Sequence, residues 1–465
     1  MKNTEENSIR AFVVFPAITM LLGWGLRGYI GGGPFGAMIP GAMVAFALCL
    51  LLEIPLKASA IVVVFGVAGI GIGGEMTYGQ TLGFLRSFET TWWGEMGITL
   101  KGSIWGFLGS SILATGIVYR QLSKKTIVIA YLMLFIGMLI GFKLINQPML
   151  IYFSDPAKPR FESWAALLLG AVFYLLYLKQ NTSKETFRII TRFAFWGMIG
   201  GGLGFGLGGF WLILGNHLPK EVIFNSWWKM MEFTFGALFG AALGYATYVS
   251  RKEITSLMDS ADELNGKTAG NLYIELGLVF LTGMLIYWFM PYLIEPLADP
   301  ARIIPRFSNV SFADVVMIFS NYAFYGLILI LVVMKFPEVA WQFAITLTFC
   351  HTALDLFQDI YPEVLSYTTI TLPFLLIFGL SAVVALFIAY FQRKENGLYN
   401  LFLVLVWSCL VVVFLRFRLE ISSHPSEGFS LLNFVFGTYF VHIVFLSSAV
   451  YITWFANQLT SKRIL

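Results

Sequence analysis

Long apolar segments recur along the whole chain, and they restrict its fold more than any other feature. A helix of about 20 apolar residues is long enough to cross the hydrocarbon core of a bilayer. The longest polar connection runs only from Arg251 to Gly270, so no soluble domain fits between these segments. The pattern predicts an all-α, polytopic integral membrane helix bundle with about 14 transmembrane helices. The predicted spans are 11–29, 35–52, 59–76, 95–119, 126–146, 163–179, 190–214, 227–250, 271–293, 312–334, 338–355, 367–391, 398–416 and 432–456.

The composition favours an exterior covered by lipid. Only 12% of the 465 residues are charged, 58% are hydrophobic, and the mean hydropathy is +0.78. A soluble protein carries about 25% charged residues, so this chain has too few to cover an aqueous surface. It has no long basic run, and its three cysteines lie in apolar segments without metal-ligand spacing. We therefore expect the lipid bilayer as a partner, no nucleic acid, no cofactor and no metal; the sequence leaves open whether the chain forms a homo-oligomer.

The positions of lysine and arginine predict the orientation. With 14 spans and the N-terminus inside, 18 of the 30 basic residues fall on the inner side and 12 on the outer side. The inner residues occupy plain short loops such as 120–125 and 392–395, whereas the outer ones alternate with acids, glycines, prolines and tryptophans. We expect both termini in the cytoplasm and the chain in the plasma (cytoplasmic, or inner) membrane.

Two sequence echoes indicate an internal repeat. Residues 155–161, DPAKPRF, recur 144 residues later as DPAR at 299–302 followed by PRF at 305–307. Trp92-Trp93 and Trp227-Trp228 each open a span that contains regularly spaced small residues. Each offset covers four spans, and an even number preserves orientation, so the repeats are expected to be parallel. The predicted units are three four-helix repeats, the third degenerate, and a terminal helix hairpin, over 1–125, 126–252, 271–392 and 398–465.

Glycine is concentrated in a few of the apolar segments. The runs at 69–74 and 200–209 predict broken helices that line a polar cavity, because glycine at this density weakens a helix. Close packing between helices is the alternative explanation, and it is the expectation for the evenly spaced Gly236, Gly240 and Gly244.

A third glycine run, Gly31 to Gly33, precedes Pro34 as a loop would precede a helix. The N–H groups at such a helix start, with Arg27 four residues upstream, would favour an anion; simple close packing is again the alternative.

Charged residues of the predicted outer loops are the candidate ligands for a solute. Asp155 with Arg160, and Asp299 with Arg306, either close their own loops as ion pairs or place two guanidinium groups on one carboxylate, sulfate or phosphate. Glu75 interrupts a predicted span and is either an ion-binding carboxylate or a buried structural acid. The predicted substrate-binding residues are Arg27, Glu75, Asp155, Arg160, Asp299, Arg302 and Arg306.

His351, Asp355 and Asp359 recur at four-residue intervals and therefore lie on one face of a helix. Such a stripe either relays protons or binds an ion, or forms a hydrogen-bonded polar seam. We predict proton or ion coupling by Glu75, His351 and Asp355, and no catalytic residues.

Two functions fit these features. The first is a secondary active transporter for a small polar, anionic solute, since broken helices and polar groups within spans suit a site reached from alternating sides. The alternative is a membrane-embedded enzyme or binding module that acts on a lipid-linked or extracytoplasmic glycan, because the charged and aromatic residues concentrate on one side.

Overall fold

Helices form nearly all of the regular structure in the computed structural model of this chain. It describes residues 2–31, 33–74, 76, 78–154, 162–218, 224, 226–258, 271–284, 312–360, 372–423, 436–437 and 439–461. Over these ranges the fold is all-α and contains no β-strand. The predicted all-α class is confirmed.

The first nine helices contain the best packed part of the bundle. Ser123 and Ser183 cap the starts of α6 and α8, because each side-chain oxygen accepts a hydrogen bond from the backbone N–H three residues later. α6 continues through a π-helical segment, Phe142–Asn146. The helices are α1 Lys2–Ile30, α2 Gly33–Leu51, α3 Leu56–Gly73, α4 Gly79–Phe84, α5 Thr91–Ile117, α6 Lys124–Gly141, α7 Trp164–Asn181, α8 Lys184–His217 and α9 Trp227–Met258.

Six further helices are described in the rest of the chain. One of them, α12, begins as Val339–Trp341, passes through a π-helical segment at Gln342–Thr346 and continues as Leu347–Ile360. The others are α10 Leu272–Met284, α11 Phe312–Lys335, α13 Leu372–Phe391, α14 Gly397–Ser423 and α15 Phe440–Ser461.

Several helices are suited to a membrane. Within the described ranges, six are long and apolar enough to cross one by length and composition. Large apolar side chains on their outer faces are exposed, as lipid contact requires; on α8 they include Phe195, Leu203 and Phe210. The six are Ile9–Ile30, Leu56–Gly73, Lys124–Asn146, Lys184–His217, Gly397–Arg418 and Phe440–Ser461.

Six helices form a closed ring, in which α1 packs against α2, α2 against α3, α3 against α5, α5 against α8, α8 against α9, and α9 against α1. Four fully buried aromatic residues fill its middle, one from each of α1, α5, α8 and α9. Their ring centroids lie 3.7 to 6.2 Å apart. These residues are Trp24, Trp105, Phe205 and Phe235. The centre of the ring is therefore packed with side chains.

Glycine allows neighbouring helices to approach at backbone distance. A Cβ atom on Gly236 would lie 2.5 Å from the carbonyl oxygen of Met20, and one on Gly240 or Gly244 would overlap a carbonyl oxygen of α1. The predicted tight packing of this glycine series is confirmed, and its partner is α1.

The predicted break in the glycine run at 200–209 is wrong. These residues lie within α8, which continues without interruption from Lys184 to His217. Gly201 packs against Gly102 of α5, whereas Gly204 and Gly208 pack against α9. Close contact on two sides offsets the low helix propensity of glycine. The run at 69–74 likewise belongs to α3 up to Gly73, whereas the chain does leave the helix at Gly31, between α1 and α2.

Candidate functional site

The last turn of α1, Arg27–Ile30, joins three parts of the bundle. Arg27 points towards the segment that precedes α4, Tyr29 towards α14 and α15, and Gly31, directly after the helix, lies near α12. We call this end of the bundle the Gly31 end. Polar side chains from six segments meet there, although each segment is mainly apolar.

Arg27 is held by aromatic rings. Its side chain is only 5% exposed, and its guanidinium carbon lies 5.4, 5.2 and 5.1 Å from the ring centroids of Trp24, Tyr78 and Trp105. One guanidinium nitrogen donates a hydrogen bond to the Tyr78 hydroxyl. Among the described residues, no carboxylate pairs with Arg27, and its Nε atom has no hydrogen-bond partner. A buried charge is costly unless it is paired, and cation–π contacts recover only part of that cost.

Glu232 brings a negative charge close to this arginine. It lies on α9 and is 1% exposed; its Oε2 atom is 2.5 Å from Lys229 Nζ, and its Oε1 atom accepts a hydrogen bond of 3.0 Å from Trp228 Nε1. A Cβ atom on Gly28 would overlap both carboxylate oxygens, so the carboxylate rests directly on the α1 backbone. Lys229 Nζ also lies 3.5 Å from the Gly25 carbonyl oxygen.

Tyr78 connects Arg27 with Glu232 electrostatically. Burial raises the pKa of the Tyr78 hydroxyl, the nearby Arg27 charge opposes that rise, and the Glu232 carboxylate adds to it. Tyr78 therefore remains a neutral phenol that can accept from Arg27 and still donate its own proton to a ligand.

A second cation, Arg416, reaches the same turn from α14. It donates to the Tyr29 carbonyl oxygen, and its guanidinium carbon lies 4.7 Å from the Tyr29 ring centroid. The Tyr29 hydroxyl is 2.7 Å from His442 Nε2 on α15. Arg416 thus binds a backbone carbonyl at the C-terminus of α1, where the helix dipole favours a positive charge.

His351 and Asp355 lie on the α12 side of the turn. Their side chains are 3.3 Å apart, from His351 Nε2 to Asp355 Oδ2, and a Cβ atom on Gly31 would be 3.8 Å from that same oxygen. The sequence placed these two residues on one face of a helix, and the structure brings that face beside the end of α1. Arg27 and the His351–Asp355 pair are therefore predicted site residues that meet at one end of the bundle.

The other predicted site residues lie outside the described residues. They are Glu75, Asp155, Arg160, Asp299, Arg302 and Arg306.

Sequence reasoning did not single out Tyr78, Lys229, Glu232 or Arg416 as site residues. A signal was present for two of them, because Lys229 and Glu232 follow the Trp227-Trp228 pair that marks the internal repeat. Their proximity to Arg27 depends on α9 packing against α1, which no local pattern reveals.

Lys101 forms an independent buried ion pair. Its Nζ atom is 3.6 Å from Glu162 Oε1 and donates a 2.8 Å hydrogen bond to Thr81 Oγ1. The Glu162 carboxylate also accepts from the Phe153 backbone N–H at 2.9 and 3.1 Å. Burial raises the pKa of Glu162, and Lys101 and these hydrogen bonds oppose the rise. Each member has a partner, so this pair fixes the connection before α7 and leaves no group for a ligand.

Another buried carboxylate, Glu275 of α10, is held by amides. Gln392 Nε2 lies 2.9 and 2.8 Å from its two oxygens, Gln342 Nε2 lies 3.5 Å away, and Arg393 approaches to 3.9 Å. Gln342 starts the π-helical segment of α12, 13 residues before Asp355, or about 20 Å along a helix axis. This cluster belongs to the opposite end of the bundle.

A cavity of about 750 Å³ also lies at that opposite end. Glu53, Arg251 and Lys252 line it together with apolar residues. Arg251 already donates a 2.6 Å hydrogen bond to the Tyr248 carbonyl oxygen, and its guanidinium group lies over the Tyr248 ring. The buried, incompletely paired cation at the Gly31 end is the stronger candidate for a ligand.

Comparison of the chain with protein-family models, curated proteins and solved structures finds no match.

Proposed function

We propose that this protein is a secondary active membrane transporter for a small anionic solute, and that the solute binds at the Gly31 end beside Arg27. The observation that carries the proposal is the state of Arg27: a buried guanidinium, held by three aromatic rings and one hydroxyl, that pairs with no described carboxylate. A buried charge without an ionic partner would destabilise a core that had only a structural role. An anion that enters the site supplies the missing partner, and the planar fork of arginine suits carboxylate, sulfate or phosphate.

The surrounding groups suit the same ligand class. Lys229, which pairs with Glu232 in this structure, is a second cation that interacts electrostatically with Arg27, and the Tyr78 hydroxyl adds a neutral donor. The start of α2 at Gly33, just after the chain leaves α1, directs backbone N–H groups and the positive end of a helix dipole towards this end. Glu75, Asp155, Arg160, Asp299, Arg302 and Arg306 are proposed to complete the site from the adjoining segments.

The proposed topology has 14 crossings of the plasma (cytoplasmic, or inner) membrane, in three parallel four-helix repeats and a terminal hairpin. Both termini lie in the cytoplasm. The support for this topology is that each predicted span overlaps a described helix over part or all of its length, and that six of these helices are long and apolar enough to cross a membrane. In this arrangement the Gly31 end faces outward. Ion coupling is assigned to Glu75, His351 and Asp355.

The first test is ligand-dependent stability of the detergent-purified protein. Its thermal midpoint would be recorded with sulfate, phosphate, succinate or gluconate, and with glucose as a neutral control. A ligand at 100 times its Kd stabilises the folded state by about 2.7 kcal/mol. We expect a shift with at least one anion, none with glucose, and loss of the shift in Arg27→Gln. Arg27→Lys should recover part of it, because the charge remains but the fork is lost.

The matched control is Arg192→Gln. Arg192 pairs with Glu253 at 2.5 Å at the opposite end, so its loss should leave the anion shift intact. Uptake of the stabilising anion into liposomes that contain the purified protein then tests transport. A shift that survives Arg27→Gln would contradict the site, and binding without uptake would contradict transport.

The outer-loop arginines need a separate comparison. If Arg160 and Arg306 bind the solute, Arg160→Gln and Arg306→Gln lower the anion shift more than they lower the midpoint without ligand. If they only close their loops, the order is reversed. No shift with any soluble anion would favour the alternative function, action on a lipid-linked or extracytoplasmic glycan.

A further inference from the structure

Glu232 occupies the place beside Lys229 that an anionic solute would need. Its Oε2 atom is 2.5 Å from Lys229 Nζ, and Trp228 Nε1 donates to its other oxygen at 3.0 Å. The carboxylate is 1% exposed, so the ion pair with Lys229 and the hydrogen bond from Trp228 take the place of its hydrogen bonds to water. A protein carboxylate with an ammonium group and an indole donor presents the same chemistry as a bound carboxylate ligand.

The contact with α1 depends on glycine. Any side chain at position 28 would overlap the Glu232 carboxylate, whereas Gly28 itself is exposed. The carboxylate therefore lies immediately next to an exposed stretch of α1 backbone.

We propose that Glu232 is a counter-ion built into the anion site, which the solute displaces from Lys229 and which takes up one proton as it leaves. This inference rests on the proposed transport of an anion and adds a coupling residue to it. Before binding, Lys229 pairs with Glu232, and Arg27 has no partner among the described carboxylates; after binding both cations face the solute, and Glu232 is neutral. The proton comes from water that enters with the solute, and it forms the new O–H bond of the carboxyl group.

The proton is required by electrostatics. An ionised Glu232 beside a bound anion would place two negative charges together where little water is present, and like charges in such a site favour the protonated form of one of them. Proton uptake removes that repulsion. It also links solute entry to a proton gradient, which a secondary transporter can use as its energy source.

The titratable groups around Glu232 come from four of the segments packed there. They are Lys229 on its own helix, Arg27 and Tyr29 on α1, Tyr78 before α4, and Arg416 on α14. His442 of α15 reaches the cluster through Tyr29. His217 of α8 contacts Ile213 and Phe88 instead, and the described side chains of α2 add no titratable group on this face. Glu232 is thus the carboxylate that contacts Lys229 among the described residues.

Sulfate is a suitable probe, because it stays a dianion from pH 5 to pH 8 and any pH dependence of its binding comes from the protein. Its affinity for the purified, full-length protein would be measured across this range. Proton uptake would be recorded by calorimetry in buffers of different ionisation enthalpy. In the wild-type protein we expect about tenfold weaker binding per pH unit where Glu232 is ionised, with about one proton taken up per sulfate.

The isosteric variant Glu232→Gln should bind sulfate with an affinity that no longer changes with pH, and without proton uptake. Glu232→Asp keeps a titratable carboxyl and should retain the uptake. Glu253→Gln, which removes a carboxylate at the opposite end of the bundle, should keep the wild-type pH dependence. A thermal midpoint close to that of the wild type would show that each variant is folded.

The outcomes separate the two proposals. Sulfate binding that keeps its pH dependence in Glu232→Gln, or that loses it in Glu253→Gln, overturns the role of Glu232 and leaves the anion site in place. Loss of sulfate binding in Glu232→Gln, as in Arg27→Gln, also overturns it, because a displaced counter-ion is not needed for affinity. Absence of binding by the wild-type protein to sulfate, phosphate, succinate and gluconate at every pH overturns both proposals.

Discussion

The backbones of α5 and α8 touch at Gly106 and Gly197. A Cβ atom on Gly106 would overlap the carbonyl oxygen of Gly197, and one on Gly197 would overlap the Ser110 hydroxyl. One turn away, Gly102 and Gly201 repeat this contact. The long, glycine-rich α8 is therefore a packing element whose glycines define how closely two neighbouring helices approach.

Gly106→Ala should destabilise the protein, because the added methyl group meets backbone and not a flexible side chain. Overpacking of this kind costs about 1–3 kcal/mol, which should lower the thermal midpoint of the purified protein by several degrees. Gly379→Ala on α13 is the control, since a Cβ atom there has nothing within 4 Å. Equal midpoints for the two variants would contradict the close contact.

Lys101→Met should be more damaging than loss of an exposed ion pair. It leaves Glu162, which is 3% exposed, without its cation, and breaking a buried pair on one side costs about 3–5 kcal/mol. The double variant Lys101→Met, Glu162→Gln should recover most of this loss, because no charge remains and a Gln oxygen can still accept from Phe153 N–H. Chemical or thermal denaturation measures both.

The exposed Arg188–Glu253 pair is the comparison for that experiment. Its atoms are 3.9 Å apart and both side chains are more than a third exposed, so Arg188→Gln should change stability by less than about 1 kcal/mol. A Lys101→Met variant no less stable than Arg188→Gln would show that the buried pair contributes little.

Glu275→Leu should lower stability without affecting anion binding. It removes the acceptor for the side-chain amide of Gln392 and one of the two acceptors of Gln342, and an unsatisfied buried polar group costs about 1–3 kcal/mol. The cluster lies at the opposite end from Arg27, so the anion-induced shift of the midpoint should persist. A selective loss of that shift would place Glu275 in the transport mechanism.

The proposed orientation can be tested by accessibility of single cysteines in intact cells. Lys158→Cys and Arg302→Cys, whose positions lie outside the described residues, should react with an impermeant thiol reagent added from outside. Lys124→Cys and Lys394→Cys should react only after the membrane is opened. The native Cys49, Cys350 and Cys409 are buried, so the unmodified protein provides the background. The reverse pattern would invert the topology.

The positions of the helices could be predicted from the sequence because they depend on local hydropathy. An apolar segment of sufficient length must satisfy its own backbone hydrogen bonds in lipid, and only a helix does so within one segment. Arg27 was predicted as a ligand because it lies four residues before the glycine run that precedes α2, where the N–H groups at a helix start would favour an anion. The break after α1 followed from three glycines and a proline.

The sequence could not decide between a broken helix and close packing for the glycines at 200–209, because local propensity opposes a helix there and only the packed neighbours reverse the balance. Gly201 contacts α5 and Gly204 contacts α9. The density of glycine in the sequence does not reveal which helices pack against α8. A dense glycine run is compatible with either a broken helix or a tightly packed one, and the contacts with neighbouring helices decide which of the two forms.

The sequence by itself determined that this chain folds into apolar helices, several of them long enough to cross a membrane, because hydropathy and backbone hydrogen bonding act within each segment. Only the tertiary structure decided what surrounds Arg27. Tyr78 lies 51 residues away, and Lys229 reaches α1 across 204 residues. Glu232 rests on Gly28 because α9 packs against α1. The net charge at the proposed solute site comes from side chains of several segments that packing brings together, so no single segment of the sequence predicts it.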